Sequence, residues 1–502
     1  MKGSESLFRP VIWVGLIGVA SKVMGAFGGI LLAYRFGADQ ATDAYLLAKT
    51  VPIGVYLILD SVVYNTLVPL LRRREESAPV FRTLLVIFFF AATAVATAVY
   101  FGATQVVALL AHGADSATQA EAAALQKITA WAIIYAVPAS CLKAWNAAQA
   151  RYVAAALDGF VLSGTLLLTL LFMSDDLGIA PVAIALPGAF VLLLLIQAVL
   201  GRAVLHLEPR TPLRKLPGRY LSRLAGPLFL LNGAQQAQIL LVVGLAAFYG
   251  KGAVSQVNYS YAIAQIPVGI LDLILFSTLF PFATQLASDR RVDDLLRATF
   301  GAAVTLLLFS LPTALWLMVH RDAVVDTLLT RGHFDAADAN TTTALLFGHG
   351  LAIPAWVLEA LACRVLFALG QHRRYLAIVV TRLVAFAALA VPCLTILDLP
   401  GISIAFAGSF VVGAALAGWV VWKALAALRT EYVARPIQRA QLLPSLYFLA
   451  TITTLVALSA LLTRWVGAEL DPVYQLLCSA ILATLIVGVG TRILIAKKYF
   501  QV

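Results

Sequence analysis

Ionisable and polar side chains stand inside long apolar segments of this 502-residue chain. Such groups are costly in a bilayer, so they usually face a cavity or pair with one another, and they mark sites of ligand or ion binding. At about 100° per residue, one helix face carries the first set: Tyr45, Lys49, Pro52, Tyr56 and Asp60. A second face carries a similar set: Asn258, Tyr261, Gln265 and Asp272. Both faces are suited to lining a cavity that holds a polar or charged cargo.

Three further positions extend this candidate cavity. Lys22 lies in the first apolar segment, in line with Gly18, Gly25 and Gly29, and a cation there suits an anionic group in a medium of low dielectric constant. Asn232 and Gln235 belong to a cluster of amides in the seventh segment.

Each of these features also has a structural interpretation. Lys22 and Asp60 can form an ion pair within the membrane, the glycines can serve helix packing, and the amides can join helices through hydrogen bonds. Arg364 and Arg382 are predicted to extend to the membrane surface. His349 is predicted to be a packed, hydrogen-bonded histidine.

No catalytic or metal-binding set emerges from the sequence. It has no P-loop, no GxSxG and no HExxH motif, and its four cysteines form no CxxC pair. We therefore predict a protein that is not an enzyme and that has no catalytic residues and no metal site.

The apolar segments themselves predict an all-α membrane protein. Hydrophobic residues make up 61% of the chain and charged residues 12%, about half of what a soluble protein carries. A helix needs roughly 20 apolar residues to cross the hydrocarbon layer. Fourteen spans are predicted: 8–35, 42–71, 80–111, 122–142, 153–173, 178–201, 224–249, 254–287, 298–320, 340–370, 375–397, 401–428, 442–463 and 470–495.

The formal net charge of +11 is explained by topology. Basic residues, among them Arg72, Arg73, Arg74, Lys143 and Arg151, concentrate in alternate loops, while the other loops are acidic or neutral. This is the positive-inside pattern, so both termini are predicted to be cytoplasmic in a bacterial inner membrane. Nucleic-acid binding is not needed to explain the charge.

An internal repeat links the second and eighth spans. The motif around Pro52 (residues 51–55, VPIGV) matches that around Pro267 (residues 266–270, IPVGI), and each follows a hairpin with glycine, Gly37 or Gly250. Six spans separate the copies, which predicts two pseudo-symmetric six-helix lobes with cargo bound between them. The predicted division is 1–205, 206–430 and 431–502. The two prolines are predicted hinges.

Several motifs together resemble the MurJ-like lipid flippases, a family within the multidrug/oligosaccharidyl-lipid/polysaccharide exporter superfamily. They are SKVMG at 21–25, FGA at 36–38, TDAY at 42–45, RGHFD at 331–335 and LFALG at 366–370. The resemblance implies alternating access for a polyprenyl-pyrophosphate-linked saccharide, moved from the inner to the outer leaflet. It implies a groove for the lipid tail in the last two predicted spans, 442–463 and 470–495. It also makes Asp43 a candidate gate or hairpin residue.

The chain departs from the family pattern at several cavity positions. Lys22 stands where peptidoglycan-precursor flippases usually carry arginine, and Gly28, Tyr56 and Leu57 replace further arginines. Residues 261–265 (YAIAQ) replace a charged Asp-Arg-x-x-Glu pattern. We therefore expect a different cargo headgroup, an exopolysaccharide or other surface-glycan repeat unit. The alternatives are a peptidoglycan lipid II flippase and a cation-coupled drug antiporter.

No cofactor is expected, and transport could draw on the membrane potential, H⁺ or Na⁺. The expected partners are the glycan lipid, membrane lipids and the machinery of glycan synthesis or polymerisation.

Overall fold

The computed structural model describes residues 4–72, 77–201, 218–275, 279–429, 451–463 and 472–496, and within them the chain is helical with no strand. The helices are α1 (Ser4–Phe36), α2 (Gln40–Arg72), α3 (Ser77–Phe101), α4 (Ala103–Leu110), α5 (Ser116–Ala148), α6 (Tyr152–Ala155), α7 (Leu157–Phe172), α8 (Ala180–Leu200), α9 (Gly218–Ala246), α10 (Ala253–Ile274), α11 (Phe280–Ser288), α12 (Val292–Val319), α13 (Arg321–Leu328), α14 (Ala336–Ala368), α15 (His372–Leu397), α16 (Gly401–Arg429), α17 (Thr451–Thr463) and α18 (Pro472–Ala496).

Each of the fourteen predicted spans contains helix in the described residues, so the prediction of an all-α, multi-span membrane protein is confirmed. Eleven described helices are long and apolar enough to cross a membrane. The remaining three predicted spans correspond to α10 with α11, to α17 and to α18. Span boundaries were less well predicted: the third span breaks at Gly102, and the fourth continues six residues past its predicted end, to Ala148.

Each of the repeated hairpins has a glycine with positive φ at the matching position. Gly37 and Gly250 both adopt positive φ, 62° and 88°, which glycine tolerates at no steric cost. Pro52 and Pro267 both lie inside helices, α2 and α10. The two hairpins thus support the sequence repeat, while the hinge role of the prolines stays a prediction.

The chain divides into two compact units, residues 1–255 and 256–502. The predicted division at 205 and 430 stays a prediction. In the first unit α5 is deeply buried, because its many alanines allow neighbouring helices to approach closely. Aromatic contacts join α2, α3, α5 and α8: the Phe81 and Trp145 rings are 5.1 Å apart, and those of Tyr56 and Phe190 are 4.7 Å apart.

The first helix packs along α7 through its small residues. A Cβ at Gly25 would lie 3.2 Å from Ser163 Oγ, and one at Gly28 would lie 3.5 Å from Leu166. Gly29, in contrast, has open space beside it. The packing interpretation of the glycines is therefore confirmed for Gly25.

The second unit is built around α14. Asp335 caps this helix by accepting from the Asp338 N–H at 2.8 Å, and the neighbouring Phe334 is buried against Tyr259. Gly348 of α14 lies so close to Ser403 of α16 that no side chain would fit between them. Trp316 of α12 donates to Ser479 of α18 at 2.9 Å, which ties the last helix to this unit.

Candidate functional site

A buried charge cluster joins three helices of the first unit. The Lys143 ammonium of α5 lies 2.6 Å from Asp60 Oδ1 of α2 and 2.5 Å from Asp158 Oδ2 of α7. The Lys143 side chain is only 8% exposed, against 20% for Asp60 and 15% for Asp158. Tyr56 donates its hydroxyl to Asp158 Oδ2 at 3.1 Å. Two predicted cavity residues, Tyr56 and Asp60, therefore share one cluster.

Sequence reasoning missed Lys143 and Asp158. It placed Lys143 in a basic loop, but α5 continues to Ala148 and buries it. Residues 143–148 (KAWNAA) contain neither glycine nor proline, so nothing in them ends the helix. The lack of glycine and proline in this segment could have indicated that the helix continues past residue 142. The suggested Lys22–Asp60 pair is not found, because Asp60 pairs with Lys143.

Asp43 holds the start of α10. Its carboxylate accepts from the Gly252 N–H at 2.7 Å, from the Ser255 N–H at 2.8 Å, and from the Ser255 hydroxyl. An acidic group suits this position, because the first amides of a helix have no partner within the helix and carry partial positive charge. A Cβ at Gly252 would collide with the Ala38 carbonyl oxygen, so the hairpins around Asp43 and Gly252 touch through their backbones.

Replacing Asp43 with alanine should destabilise the protein. The change leaves two buried amides without an acceptor, and each such group costs about 1–3 kcal/mol. Asp43→Asn keeps one acceptor oxygen and should be milder. The measurement is the thermal unfolding midpoint of both variants in the same detergent. Equal midpoints for Asp43→Ala and the wild type would contradict this role.

A small open recess lies beside Asp43, lined also by Leu47, Asp115, Thr118 and Lys251. Asp115 caps α5, and the Thr118 N–H donates to it at 2.6 Å. This bond, with a smaller effect of Lys251 at 4.0 Å, holds the pKa of Asp115 below its usual value. The rim of the recess therefore carries two opposite charges.

Lys22 and Lys49 are the two predicted cations. Lys22 is exposed on α1, and Lys49 is half-buried, with its ammonium 4.9 Å from the centre of the Tyr45 ring. No carboxylate in the described part of the chain lies within ion-pair distance of either lysine. The sequence left open whether these lysines bind the cargo or form ion pairs within the protein. Among the described residues neither lysine forms an ion pair.

The amides of α9 contact α2. Asn232 donates to the Ser61 hydroxyl at 3.0 Å, directly beside Asp60. A Cβ at Gly54 would lie 3.6 Å from the Gln236 side-chain oxygen, so Gln236 also packs on α2. Gln235 is half-buried on the same helix. Asn232 thus joins two helices, as the structural interpretation predicted.

The second predicted face lies in the second unit. Tyr261 stacks on Trp356 at 5.5 Å and accepts a hydrogen bond from Gln265 at 3.3 Å. His349 is buried and lies 3.0 Å from the Ser260 hydroxyl, so its prediction as a packed histidine is confirmed. Asn258 is half-buried on α10. This face is therefore aromatic and neutral near its centre.

Two arginines of this unit form ion pairs with carboxylates of the same unit. Arg364 binds Asp272 at 2.7 Å, and Arg382 binds Glu359 at 2.9 Å. The Arg382 and Glu359 side chains are 8% and 2% exposed, and the Arg382 guanidinium lies 4.3 Å from the centre of the Phe410 ring. The prediction that Arg382 extends to the membrane surface is wrong, because a carboxylate on the neighbouring helix holds it in the interior. Arg364 pairs with Asp272, whose side chain is 41% exposed, so its extension to the membrane surface stays a prediction.

Comparison with known proteins places this architecture among transporters. A family model described as lipid II flippase MurJ matches residues 32–475. The lipid II flippase MurJ of Burkholderia cenocepacia is 25% identical over 377 residues, covering 70% of this chain and 72% of its own. A probable lipid II flippase MurJ of Aquifex aeolicus is 23% identical over 375 residues, covering 70% and 71%.

Solved structures with low sequence identity share the fold. A lipid II flippase MurJ in an inward closed conformation has a TM-score of 0.76 at 17% identity, covering 96% of this chain and 99% of its own. An inward-facing MATE family multidrug resistance transporter has a TM-score of 0.63 at 13% identity, covering 84% and 96%. The fold is thus common to both classes, and the sequence matches distinguish them.

Proposed function

Because the chain belongs to the lipid II flippase MurJ family, we propose that it moves lipid II from the inner to the outer leaflet of the bacterial inner membrane. The observation that carries the proposal is the family match over residues 32–475. Lipid II is the polyprenyl-pyrophosphate-linked saccharide from which peptidoglycan is built. The function is transport by alternating access, with no bond made or broken in the cargo.

The expected exopolysaccharide or surface-glycan cargo is wrong. That expectation rested on charges missing at Gly28, Tyr56 and Leu57, yet the family match runs through Tyr56 and Leu57, and the curated relatives are described as lipid II flippases. At Tyr56 the structure gives a physical reason: its hydroxyl belongs to an internal cluster with Asp158. Changes there alter how the helices are held together, so they are a weak guide to the cargo.

A cation-coupled drug antiporter has less support. The MATE transporter structure covers 84% of this chain, whereas the MurJ structure covers 96%. The family model also continues to residue 475, beyond α17 and into α18. Residues 431–475, which lie outside the predicted six-helix repeats, therefore belong to the match.

The two lysines without an ion pair support binding of an anionic cargo. Lys22 is exposed and Lys49 half-buried, so neither is neutralised by a described carboxylate. A pyrophosphate accepts charge-assisted hydrogen bonds, which are strong where water is scarce. Lys22 is the principal candidate for this contact, with Lys49 second.

We also propose that both termini are cytoplasmic, as the distribution of basic loops predicts. Asp176 and Ser288 are both exposed, and a cysteine at either position, in a chain whose four native cysteines are replaced by serine, tests this with a thiol reagent that does not cross the membrane. Asp176→Cys should react in intact cells and Ser288→Cys only in broken cells. The reverse pattern would contradict the orientation.

The function is tested by expressing the chain in a bacterium depleted of its own lipid II flippase. Rescue of growth and cell shape is expected, with the host flippase as the positive control and an empty plasmid as the negative one. Immunoblotting of the membrane fraction shows whether the chain is present. Failure of rescue by a chain present at the level of the positive control would contradict the proposal.

A further inference from the structure

The cluster of Asp60, Lys143 and Asp158 contains two carboxylates but one ammonium. Both carboxylate oxygens lie within 2.6 Å of the same nitrogen, so the carboxylates are close neighbours. With all three groups ionised, the charges sum to −1. An excess charge in an interior of low dielectric constant is costly, and two carboxylates that share a site do not readily remain ionised together. One more positive charge would make the cluster neutral.

The surroundings supply no such charge among the described residues. The titratable groups that face the cluster from α2, α5 and α7 are Tyr56, Tyr64, Cys141, Lys143, Asp60 and Asp158. Phe190 of α8 and Ser21 of α1 bring no charge. A further cation of α2, Arg72, is used by the Ala147 carbonyl and the Tyr152 hydroxyl.

One atom of the cluster also lacks a partner. Asp158 Oδ1 is buried and accepts no hydrogen bond from the described residues, whereas Oδ2 receives both Lys143 and Tyr56. A buried carboxylate oxygen without a donor is unfavourable while the group is ionised. Protonation removes that charge and leaves the Lys143 contact in place.

We propose that Asp60 and Asp158, bridged by Lys143, form a proton-binding site that couples transport to proton movement. This inference rests on the proposed transport function. A metal cation such as Na⁺ fits less well, because hard cations need several oxygen ligands around a vacant centre. Here the ammonium already fills the position between the carboxylates. The 20% exposure of Asp60 gives the proton a way in.

Lys143 lies between the two carboxylates, so removing each charge in turn gives a distinct expected result. In Asp60→Asn or Asp158→Asn, the remaining carboxylate faces Lys143 one to one and stays ionised. In Lys143→Met, two carboxylates remain without the ammonium, so a protonated form persists to higher pH. Asp294→Asn is the matched control, because Asp294 lies at the start of α12, has a side chain that is 39% exposed, and pairs with Arg291 at 2.8 Å.

Infrared difference spectroscopy of the full chain in lipid nanodiscs tests the site without any cargo. The wild type should show a carbonyl band of a protonated carboxylic acid that disappears as the pH rises. Both aspartate variants should lose this band, Lys143→Met should keep it to higher pH, and Asp294→Asn should leave it unchanged. The amide band of the same spectra reports whether each variant keeps its helices.

Three results would overturn the proton site. They are a wild type with no titrating band, a band that survives in both asparagine variants, and a band that added Na⁺ removes at constant pH. The first and third results are measured on the wild type, so the proposal can be contradicted even if a variant misfolds. None of the three depends on rescue of the depleted strain, so failure of this site and failure of the proposed function are separate outcomes.

Discussion

Lys22→Ala is expected to abolish transport while the protein remains folded in the membrane. Lys22 is exposed on α1 and has no described carboxylate as a partner, so its loss breaks no internal ion pair. It removes the leading candidate for contact with the cargo pyrophosphate. In the depleted strain, the variant should therefore fail to rescue growth at wild-type abundance. Lys22→Arg keeps the charge and should retain rescue.

Lys127→Ala provides the matched control for this prediction. Lys127 is an exposed lysine of another membrane helix, α5, and makes no described ion pair. Its removal changes the net charge as Lys22→Ala does, but it leaves the α1 surface intact. Full rescue by Lys22→Ala, at normal abundance, would remove Lys22 from the cargo site. Failure of Lys127→Ala would show that net charge alone explains the loss.

Glu359→Ala is expected to produce the largest loss of stability. Arg382 is buried beside Glu359, so the variant leaves an uncompensated charge in the interior. Breaking one side of a buried pair costs about 3–5 kcal/mol in the free energy of unfolding. The measurement is thermal or denaturant unfolding in detergent, followed by tryptophan fluorescence.

The double variant Glu359→Leu with Arg382→Leu separates charge from packing. Replacing both partners with apolar residues removes the stranded charge, and such exchanges are often neutral or stabilising. Most of the stability lost in Glu359→Ala should therefore return. A double variant as unstable as Glu359→Ala would mean that the shape of these side chains, against Phe410 and Gly413, matters more than their charge.

The fold was largely predictable because the bilayer imposes a simple rule on sequence. A span must be long, apolar and helical, so fourteen spans could be found from hydropathy alone. Their boundaries were harder to predict, since alanine-rich segments such as the end of α5 continue as helix without a change in composition. The hairpin glycines, Gly37 and Gly250, were recognisable because positive φ selects for glycine.

The partners of the polar residues were not predictable in the same way. The helical faces containing Tyr56, Asp60 and Asp272 could be read from periodicity within each segment. Periodicity does not say which distant helix supplies the opposite charge. Asp60 pairs with Lys143, 83 positions later in the chain, and Asp272 pairs with Arg364, 92 positions later. Those pairs depend on how helices pack, which a single sequence does not encode locally.

The most direct test of the central claim is to measure where lipid II lies in the membrane. Cells that depend on this chain would be treated from outside with an enzyme that cleaves the exposed headgroup of lipid II, and the cleaved fraction would be quantified. The account predicts extensive cleavage with the wild-type chain and loss of cleavage with Lys22→Ala. Uncleaved lipid II in cells that contain abundant wild-type protein would contradict the claim that this chain carries lipid II across the membrane.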